Sequence, residues 1–348
     1  MLSLNDVGIS IKSKAFVVAE VSGNHDGKLE NAIKLIHAAK EAGAQAVKFQ
    51  TYTADSLSIN VDNLHFNISQ NSIWREFRNT HDLYTKASTP MDWLPILFEE
   101  ARKIQILPFS SPFDEKSVEI LEELNCEIYK VASPEINHYP LIKRIAKTGK
   151  PTIFSLGVAP ESVLEKAIRT FNEFSNSNFA LLQCDTRYPA EERFANIGLL
   201  PYLQRKFDCV VGISDHTTNS KVVEVAIGAG AKIFEKHIKL SADIGIDREF
   251  SLTPSEFKTY VSRIRDAELI LGDPKFRYSE KDKFYLQNSR SIYASNSIEI
   301  GQQFSSENVR IVRPGYGLDS SKIDLLLSRK SKRRINKGDP ITMLDLDE

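Results

Sequence analysis

Short apolar runs rich in β-branched residues recur along the first 240 or so residues of the chain. They lie at 15–21, 44–50, 104–109, 127–132, 152–156, 179–184, 209–213 and 232–237. Nearly continuous apolar strands are typical of parallel sheets that are buried on both faces. Helical periodicity occupies the intervals, as where apolar positions 32, 35, 36 and 39 precede a terminating Gly43. Further helices are predicted at 95–104, 116–124, 162–174 and 220–227.

The spacing of the strands predicts the fold class. Successive strands start about 22–30 residues apart, except for an interval near 60 between the second and the third. Eight strand–helix units of this size predict an α/β fold, a (β/α)8 TIM barrel. The alternative is a doubly wound open sheet, which usually has fewer strands. No GxGxxG motif follows the first strand to support it.

The long interval at 51–90 is rich in Asn, Ser, His and aromatic residues. An insertion after a barrel strand lies on the catalytic face, so we expect a lid or a substrate wall there. The alternative is a surface loop without a role in function.

The last 60 or so residues have a different pattern, with short strands, Gly turns and no helical period. SIEIGQQFSSENV at 297–309 aligns with RINKGDPITMLDL at 334–346, which predicts a pseudo-symmetric β-rich unit. A helix with a capping box at Thr253 and Glu256 precedes it. We predict a barrel domain at 1–272, a charged linker at 273–284 and a small domain at 285–348. A domain so small is barely stable alone, so we expect it to dock on a larger partner.

Composition narrows the class of protein. The 348 residues are 41% hydrophobic and 26% charged, with a formal net charge of −1. The protein therefore has no overall positive electrostatic field that would attract nucleic acid or an anionic membrane. The basic run at 329–334 is interpreted as a solvated surface rather than a nucleic-acid patch. Three cysteines without a CxxC pattern, no signal-peptide pattern and no membrane span lead us to expect a cytoplasmic protein.

Polar residues at the predicted strand ends indicate an anion site. Buried Lys48 and Lys130 need negative partners. One interpretation pairs them with Glu20, Glu135 and Glu235 inside the barrel. The other, which we favour, leaves them without a dedicated acid, so that lysines and serine hydroxyls together bind a substrate phosphate or carboxylate.

The stretch 209–237 places His216 and His237 at the ends of adjacent strands. We expect the two histidines to share one small volume with Asp215, Glu235 and Lys236. Two imidazoles without a thiolate indicate an octahedral divalent ion such as Mn²⁺, completed by water and substrate oxygens. Such an ion would act as a Lewis acid on a carbonyl. The alternative is a pair of structural histidines.

Motifs in register along nearly the whole chain resemble the sialic acid synthase family. They are AEVSGNHDG at 19–27, VKFQTYTADSL at 47–57, SSPFD at 110–114, YKVASPE at 129–135, GKPTIFSLG at 149–157, CDTRYPA at 184–190, GISDHT at 212–217, EKH at 235–237 and IDREFSL at 246–252. RSIYAS at 290–295 and VRPGYGL at 312–318 resemble the family's antifreeze-protein-like (SAF) domain.

The resemblance implies a condensation of phosphoenolpyruvate with an acylamino sugar, with loss of phosphate. It implies that phosphoenolpyruvate is bound by residues matching Lys48, Ser111, Lys130, Ser133, Ser155 and Ser214. It implies a divalent metal, Mn²⁺ or else Mg²⁺ or Co²⁺, on His216 and His237. The implied sugar contacts are Glu20, Gln50, Tyr188, Glu135 and Asp247. A domain-swapped homodimer would add Arg313 to the partner's site, and Glu20, Lys48, Lys130 and Glu135 are the implied catalytic residues.

Within the family, SIWREF, LYTKASTP and MDW in the insertion resemble pseudaminic acid synthases. The implied acceptor is then a 2,4-diacetamido-2,4,6-trideoxy hexose. The alternatives are a sialic (N-acetylneuraminate) or legionaminic acid synthase, a metal-dependent barrel hydrolase, and an inactive carbohydrate-binding homologue. Leu156, Asp185, Arg187 and Ile246 depart from the usual family pattern.

Overall fold

The computed structural model describes residues 3–157, 159–273 and 283–347. Its first unit, Met1–Gly272, contains a closed barrel of eight parallel strands in the order β1 to β8. The strands are Phe16–Glu20 (β1), Ala46–Thr51 (β2), Leu107–Pro112 (β3), Tyr129–Val131 (β4), Thr152–Leu156 (β5), Phe179–Cys184 (β6), Val210–Asp215 (β7) and Ile233–His237 (β8). β1 pairs with both β2 and β8, which closes the barrel and confirms the predicted fold class.

One outer helix follows each barrel strand, and two short helices lie in the insertion. The outer helices are Leu29–Glu41 (α1), Leu94–Lys103 (α4), Glu115–Glu123 (α5), Tyr139–Ala146 (α6), Glu161–Phe174 (α7), Leu200–Phe207 (α8), Val222–Gly228 (α9) and Pro254–Leu271 (α10). Those of the insertion are Ala54–Leu57 (α2) and Thr80–Ala87 (α3). In α1 the four predicted apolar positions are all buried, so each helix of this kind covers the sheet with one face.

The third strand starts three residues later than the sequence pattern predicts. α4 extends to Lys103, and Gln105 then adopts a left-handed backbone conformation with φ 59°, which turns the chain into β3. Ser110 and Ser111 consequently lie inside the strand rather than after it. The predicted capping box of α10 is present, with the backbone N–H of Thr253 donating to Glu256 at 2.8 Å.

The second unit, Asp273–Glu348, has its own small core. It contains Lys283–Asn288 (α11), Ser291–Ala294 (β9), Val309–Val312 (β10) and Ile323–Leu327 (α12), and β9 pairs antiparallel with β10. Most of the predicted linker, 274–282, lies outside the described residues.

The internal repeat corresponds to a local two-fold arrangement in this unit. Ile298 and Ile335, which occupy the same position in the two repeats, exchange both backbone hydrogen bonds at 2.9 Å. Gly301 and Gly338, again equivalent, both have positive φ. The two repeats therefore fold alike and face each other, as their aligned glycines predict.

Within the described ranges, no helix combines the length and the hydrophobicity that crossing a bilayer requires.

Candidate active site

Successive side chains along β7 and β8 point to opposite faces of the sheet, so the charged residues at the strand ends lie on different sides of the barrel wall. Lys236 lies outside the barrel, where its ammonium group is 3.3 Å from Asp215 and 5.8 Å from the centre of the Tyr260 ring in α10. Glu235 and His237, on the opposite face of the same strand, point inward. The expectation that all five groups share one volume is therefore wrong: one acid and the lysine form a separate buried pair.

A buried cluster of charges occupies the barrel mouth. One carboxylate oxygen of Glu235 lies 3.1 Å from the Lys130 ammonium, 3.3 Å from that of Lys48 and 3.2 Å from the Ser214 hydroxyl. Lys48 also pairs with Glu20 at 2.7 Å and donates to Ser111 at 3.2 Å. Six strands, β1 to β4 together with β7 and β8, thus contribute inward side chains to this cluster.

This arrangement corrects one sequence-based interpretation. Lys48 and Lys130 do have dedicated acid partners, so they are paired rather than left free for substrate. The alternative interpretation, which pairs the lysines with acids inside the barrel, is the correct one for Glu20 and Glu235. An anionic substrate must share these cations with Glu20 and Glu235.

The electrostatics follow from burial and from this pairing. Burial alone would raise the pKa of Glu235, but Lys130 and Lys48 bring it down to about 2. Burial likewise opposes the charge on Lys48, yet Glu20 and Glu235 outweigh it and raise the pKa of Lys48. For Glu20 and Lys130 burial prevails, so the pKa of Glu20 is raised and that of Lys130 is lowered.

The other two predicted phosphoenolpyruvate residues, Ser133 and Ser155, lie at the carboxyl ends of β4 and β5. Ser155 in β5 is buried, and its hydroxyl has no hydrogen-bond partner among the described residues. Ser133 is buried at the start of the 3₁₀ turn Ser133–Asn137 that follows β4. The same turn carries Glu135, one of whose oxygens is also buried without a described hydrogen bond. Burial raises the pKa of Glu135 to about 7, although Lys130 and Lys48 lower it. Unsatisfied buried polar atoms in a barrel mouth are suited to a substrate.

His216 and His237 lie next to each other, with ring centres 5.3 Å apart. Nδ1 of His216 is 2.7 Å from the Asp185 carbonyl oxygen, to which it donates, so Nε2 is left for a ligand. Nδ1 of His237 is buried and has no described hydrogen bond. Burial lowers the pKa of His216 to about 4 and that of His237 well below its ordinary value. Two neutral imidazoles of this kind fit a divalent metal.

The described side chains supply these two donors without a third. No group of three or more His, Cys, Asp or Glu residues within the described ranges is arranged to hold a metal ion. Asp247 comes nearest, with one carboxylate oxygen 3.8 Å from Nδ1 of His237. A divalent ion on these two histidines would need water or substrate oxygens in its remaining coordination positions.

Asn24 links three segments of the site and was not selected from the sequence. Its amide nitrogen donates to the carbonyl of Ile238 at 2.9 Å and to the Ser251 hydroxyl at 2.8 Å. Its amide oxygen accepts the backbone N–H of Asp247 at 3.1 Å. The carboxylate of Asp247 accepts a hydrogen bond from Ser22 at 2.5 Å. Asn24 thereby fixes the loop after β8 beside His237.

A cavity of about 250 Å³ opens beside the histidines. Its polar lining includes four of the predicted sugar contacts: Gln50, Glu135, Tyr188 and Asp247. Gln50 donates to Glu20 at 3.1 Å, which connects the cavity to the charged cluster. Part of the lining, including Trp74 and Tyr84, comes from the insertion, which therefore forms a wall of this cavity as expected.

Asp185 and Arg187, two of the departures from the family pattern, form an ion pair with each other. Burial tends to raise the pKa of Asp185, but hydrogen bonds from Arg187 lower it overall. The guanidinium group of Arg187 makes two bonds to that carboxylate, at 2.9 and 2.7 Å, and lies over the Phe194 ring. The acid near the barrel mouth is thus already paired.

Arg313, which is expected at a partner's site, is exposed on the second unit, where it lines a cavity with Arg310 and Lys337. Glu235, by contrast, belongs to the cluster although it was not selected as a site residue. The period of two along β8, which places it on the same face as His237, is the signal that could have found it.

Comparison with known proteins agrees with this geometry. The sequence profile of the NeuB family matches residues 35–276, more than half of the chain. The chain belongs to the NeuB family. The SAF domain profile matches residues 289–347, the second unit. Synthases of the NeuB family generally depend on a metal.

Similar proteins cover almost the full length. A pseudaminic acid synthase of Campylobacter jejuni is 41% identical over 95% of this chain and 96% of its own. A pseudaminic acid synthase of Helicobacter pylori is 36% identical, over 95% and 97%. The crystal structure of an N-acetylneuraminic acid synthetase from Leptospira borgpetersenii is 30% identical. It covers 78% of this chain and 90% of its own, with a TM-score of 0.70.

Proposed function

We propose that this protein condenses phosphoenolpyruvate with a 2,4-diacetamido-2,4,6-trideoxy hexose, giving a nine-carbon nonulosonic acid and phosphate. The observation that carries the proposal is the position of Lys48 and Lys130, with buried serine hydroxyls, in the barrel mouth of a NeuB-family chain that also holds the His216–His237 pair. An anion site and a carbonyl site are both needed for this reaction.

The lysines and hydroxyls bind the phosphate and the carboxylate of phosphoenolpyruvate. Lys48 and Lys130 supply the positive charge, and Ser111 and Ser214 already hydrogen-bond within the same cluster. Ser155 offers a hydroxyl without a described partner, and Ser133 extends the hydroxyl set. The residues are buried, so water competes little for these charges.

The chemistry joins the methylene carbon of phosphoenolpyruvate to the sugar aldehyde carbon. The aldehyde oxygen takes up a proton, water adds to the carbon that bears the phosphate, and phosphate leaves with cleavage of its C–O bond. His216 and His237 would hold a divalent metal, Mn²⁺ in our proposal, which would supply Lewis-acid polarisation of the aldehyde. Glu20 and Glu135 serve the proton transfers, since burial raises the pKa of each.

The choice of acceptor is supported by the relatives. Two relatives named pseudaminic acid synthase are 41% and 36% identical over 95% of the chain, whereas an N-acetylneuraminic acid synthetase of known structure is 30% identical over 78%. We place the protein in the cytoplasm because its three cysteines are free and buried, as in a reducing compartment. A domain-swapped dimer would give exposed Arg313 a role at a partner's site.

The test is phosphate release by the purified protein from phosphoenolpyruvate, with Mn²⁺ and a panel of acylamino sugars. We expect release with the trideoxy sugar, a product of matching mass, and loss of both on chelation. Preferred use of N-acetylmannosamine or of the legionaminic acid precursor would correct the acceptor. A chain that binds phosphoenolpyruvate and metal in calorimetry but turns over no sugar would be an inactive homologue, and hydrolysis without condensation would indicate a hydrolase.

A further inference from the structure

Lys236 connects the two strands that carry the histidines, from outside the barrel. It is the neighbour of His237 in β8, and it is paired in register with Asp215, the neighbour of His216 at the end of β7. Its side chain points to the outer face of the sheet, where it is fully buried against Tyr260 of α10. The proposed reaction takes place on the other face, so it leaves this buried charge without a role.

The ammonium group of Lys236 holds the backbone on both sides of His216. It donates to the carbonyl oxygen of Thr217 and lies 3.3 Å from the carboxylate of Asp215. That carboxylate accepts hydrogen bonds from the backbone N–H and from the hydroxyl of Thr217, at 2.9 and 2.8 Å. The residues before and after His216 are therefore both tied to one buried cation on the neighbouring strand.

Other contacts attach His216 to the loop after β6. Its carbonyl oxygen accepts the backbone N–H of Ala190 at 2.9 Å, and its Nδ1 donates to the carbonyl oxygen of Asp185 at 2.7 Å. These bonds orient the imidazole relative to β6, whereas Lys236 fixes the same segment relative to β8 and so to His237. Two imidazoles on separate strands can share one ion only if the spacing between them is held.

We infer that Lys236 is a positioning residue, which sets the spacing of His216 and His237 for a divalent metal. The inference rests on the proposed function, in which these two imidazoles hold that metal. Lys236 acts through the backbone of 215–217 and through its own place beside His237, without touching the substrate. Because groups behind metal ligands typically change metal affinity by about 10- to 100-fold when they are lost, we expect a loss of that size without the ammonium.

The sign of the effect separates positioning from charge. Burial lowers the pKa of His216 and of His237, and the charge of Lys236 lowers the pKa of both further. The ammonium is therefore near enough to repel a metal cation at these rings. If Lys236 acted through its charge alone, its removal would tighten metal binding. A role in positioning predicts the opposite, which is weaker binding.

The test is calorimetric binding of Mn²⁺ to the full chain without substrates, for the wild type and two variants. Lys236→Met keeps the hydrocarbon stem against Tyr260 but removes the ammonium. The double variant Asp215→Asn/Lys236→Met also removes the acid, so that no unpaired charge is buried, and Asn can still accept from Thr217. We expect the dissociation constant for Mn²⁺ to rise by about tenfold or more in both variants.

Two further readouts separate positioning from a general loss of structure. The visible absorption of bound Co²⁺ depends on the geometry of its ligands, so it should change in the double variant. Binding of phosphoenolpyruvate to the metal-free variants should match the wild type, because Lys48 and Lys130 belong to the cluster on the inner face.

Lys232 provides a matched control on the same side of the sequence. It lies directly before β8, and its ammonium group also donates to a backbone carbonyl, that of Ser13, at 2.9 Å. This bond is at the opposite end of the strand from His237. Lys232→Met should therefore bind Mn²⁺ with the affinity of the wild type. Thermal unfolding of each variant establishes that it is folded before binding is measured.

The outcomes distinguish this inference from the proposed function. Folded variants that bind Mn²⁺ as tightly as the wild type, or more tightly, would overturn the inference and leave the metal site standing. If Lys236→Met does not fold, the double variant decides the question on the same criterion. Absence of Mn²⁺ binding by the wild-type protein, with and without phosphoenolpyruvate, would overturn the metal assignment of the proposed function, and with it the inference.

Discussion

Replacing Glu235 by Gln removes the charge that two buried lysines share. Lys48 keeps Glu20 as a partner at 2.7 Å, so its charge remains compensated. Among the described residues, Lys130 has an ion pair with Glu235 alone. The substitution is nearly isosteric, which confines the change to electrostatics. Lys130 is then left as a buried cation without an anion.

The size of the effect follows from the distances. At 3.1 Å and an effective dielectric constant of about 20, a Lys130–Glu235 pair contributes about 5 kcal/mol of Coulomb energy. Loss of one partner of a buried pair is expected to cost about 3–5 kcal/mol of folding free energy. For a unit of this size, each kcal/mol corresponds to about 2–4 °C in melting temperature. We therefore expect the melting temperature of Glu235→Gln to fall by about 6 °C or more.

The assay is thermal unfolding of the full chain with and without phosphoenolpyruvate. Because the ligand brings an anion to Lys130, it should raise the melting temperature of Glu235→Gln by more than that of the wild type. Glu161→Gln is the control, since Glu161 pairs with Lys206 on an exposed surface, and its melting temperature should match the wild type. A Glu235→Gln protein as stable as the wild type would refute the reasoning about the shared carboxylate. A smaller shift with phosphoenolpyruvate would refute the role of Lys130 in binding it.

Two further predictions concern the metal and the pH dependence. His237→Ala should abolish metal-dependent phosphate release and weaken Mn²⁺ binding in calorimetry of the sugar-free protein; full activity with unchanged binding would contradict the metal assignment. Glu135 lies near Lys130, Lys48 and Tyr84, and burial raises its pKa from 4.5 to about 7. The folded protein therefore keeps a proton that the unfolded chain loses, so this group's contribution to stability falls as pH rises through that window. The difference in melting temperature between Glu135→Gln and the wild type should therefore shift in favour of the variant as pH rises from about 5 to about 8. If the melting temperatures of the two proteins change equally with pH, the pKa of Glu135 is not raised.

Much of the fold could be predicted because its signals are local. Each buried parallel strand appears as a short apolar run, and the equal spacing of eight runs leaves few alternatives to a barrel. The aligned Gly301 and Gly338 indicate equivalent turns, and both have positive φ. Strand boundaries were less certain, since the left-handed turn at Gln105 leaves no clear mark in an apolar stretch.

The sequence by itself determined which polar residues to expect at the strand ends: Lys48, Lys130, His216 and His237 are all buried there. Only the tertiary structure decided how those residues are partnered. Lys130 and Glu235 are 105 residues apart and meet because β4 and β8 face one another in a closed barrel. The cavity wall was likewise decided by the insertion, where Trp74 donates to the carbonyl of Ile246 in the loop after β8. Contacts of this kind depend on barrel closure and strand register, which no local pattern of residues encodes.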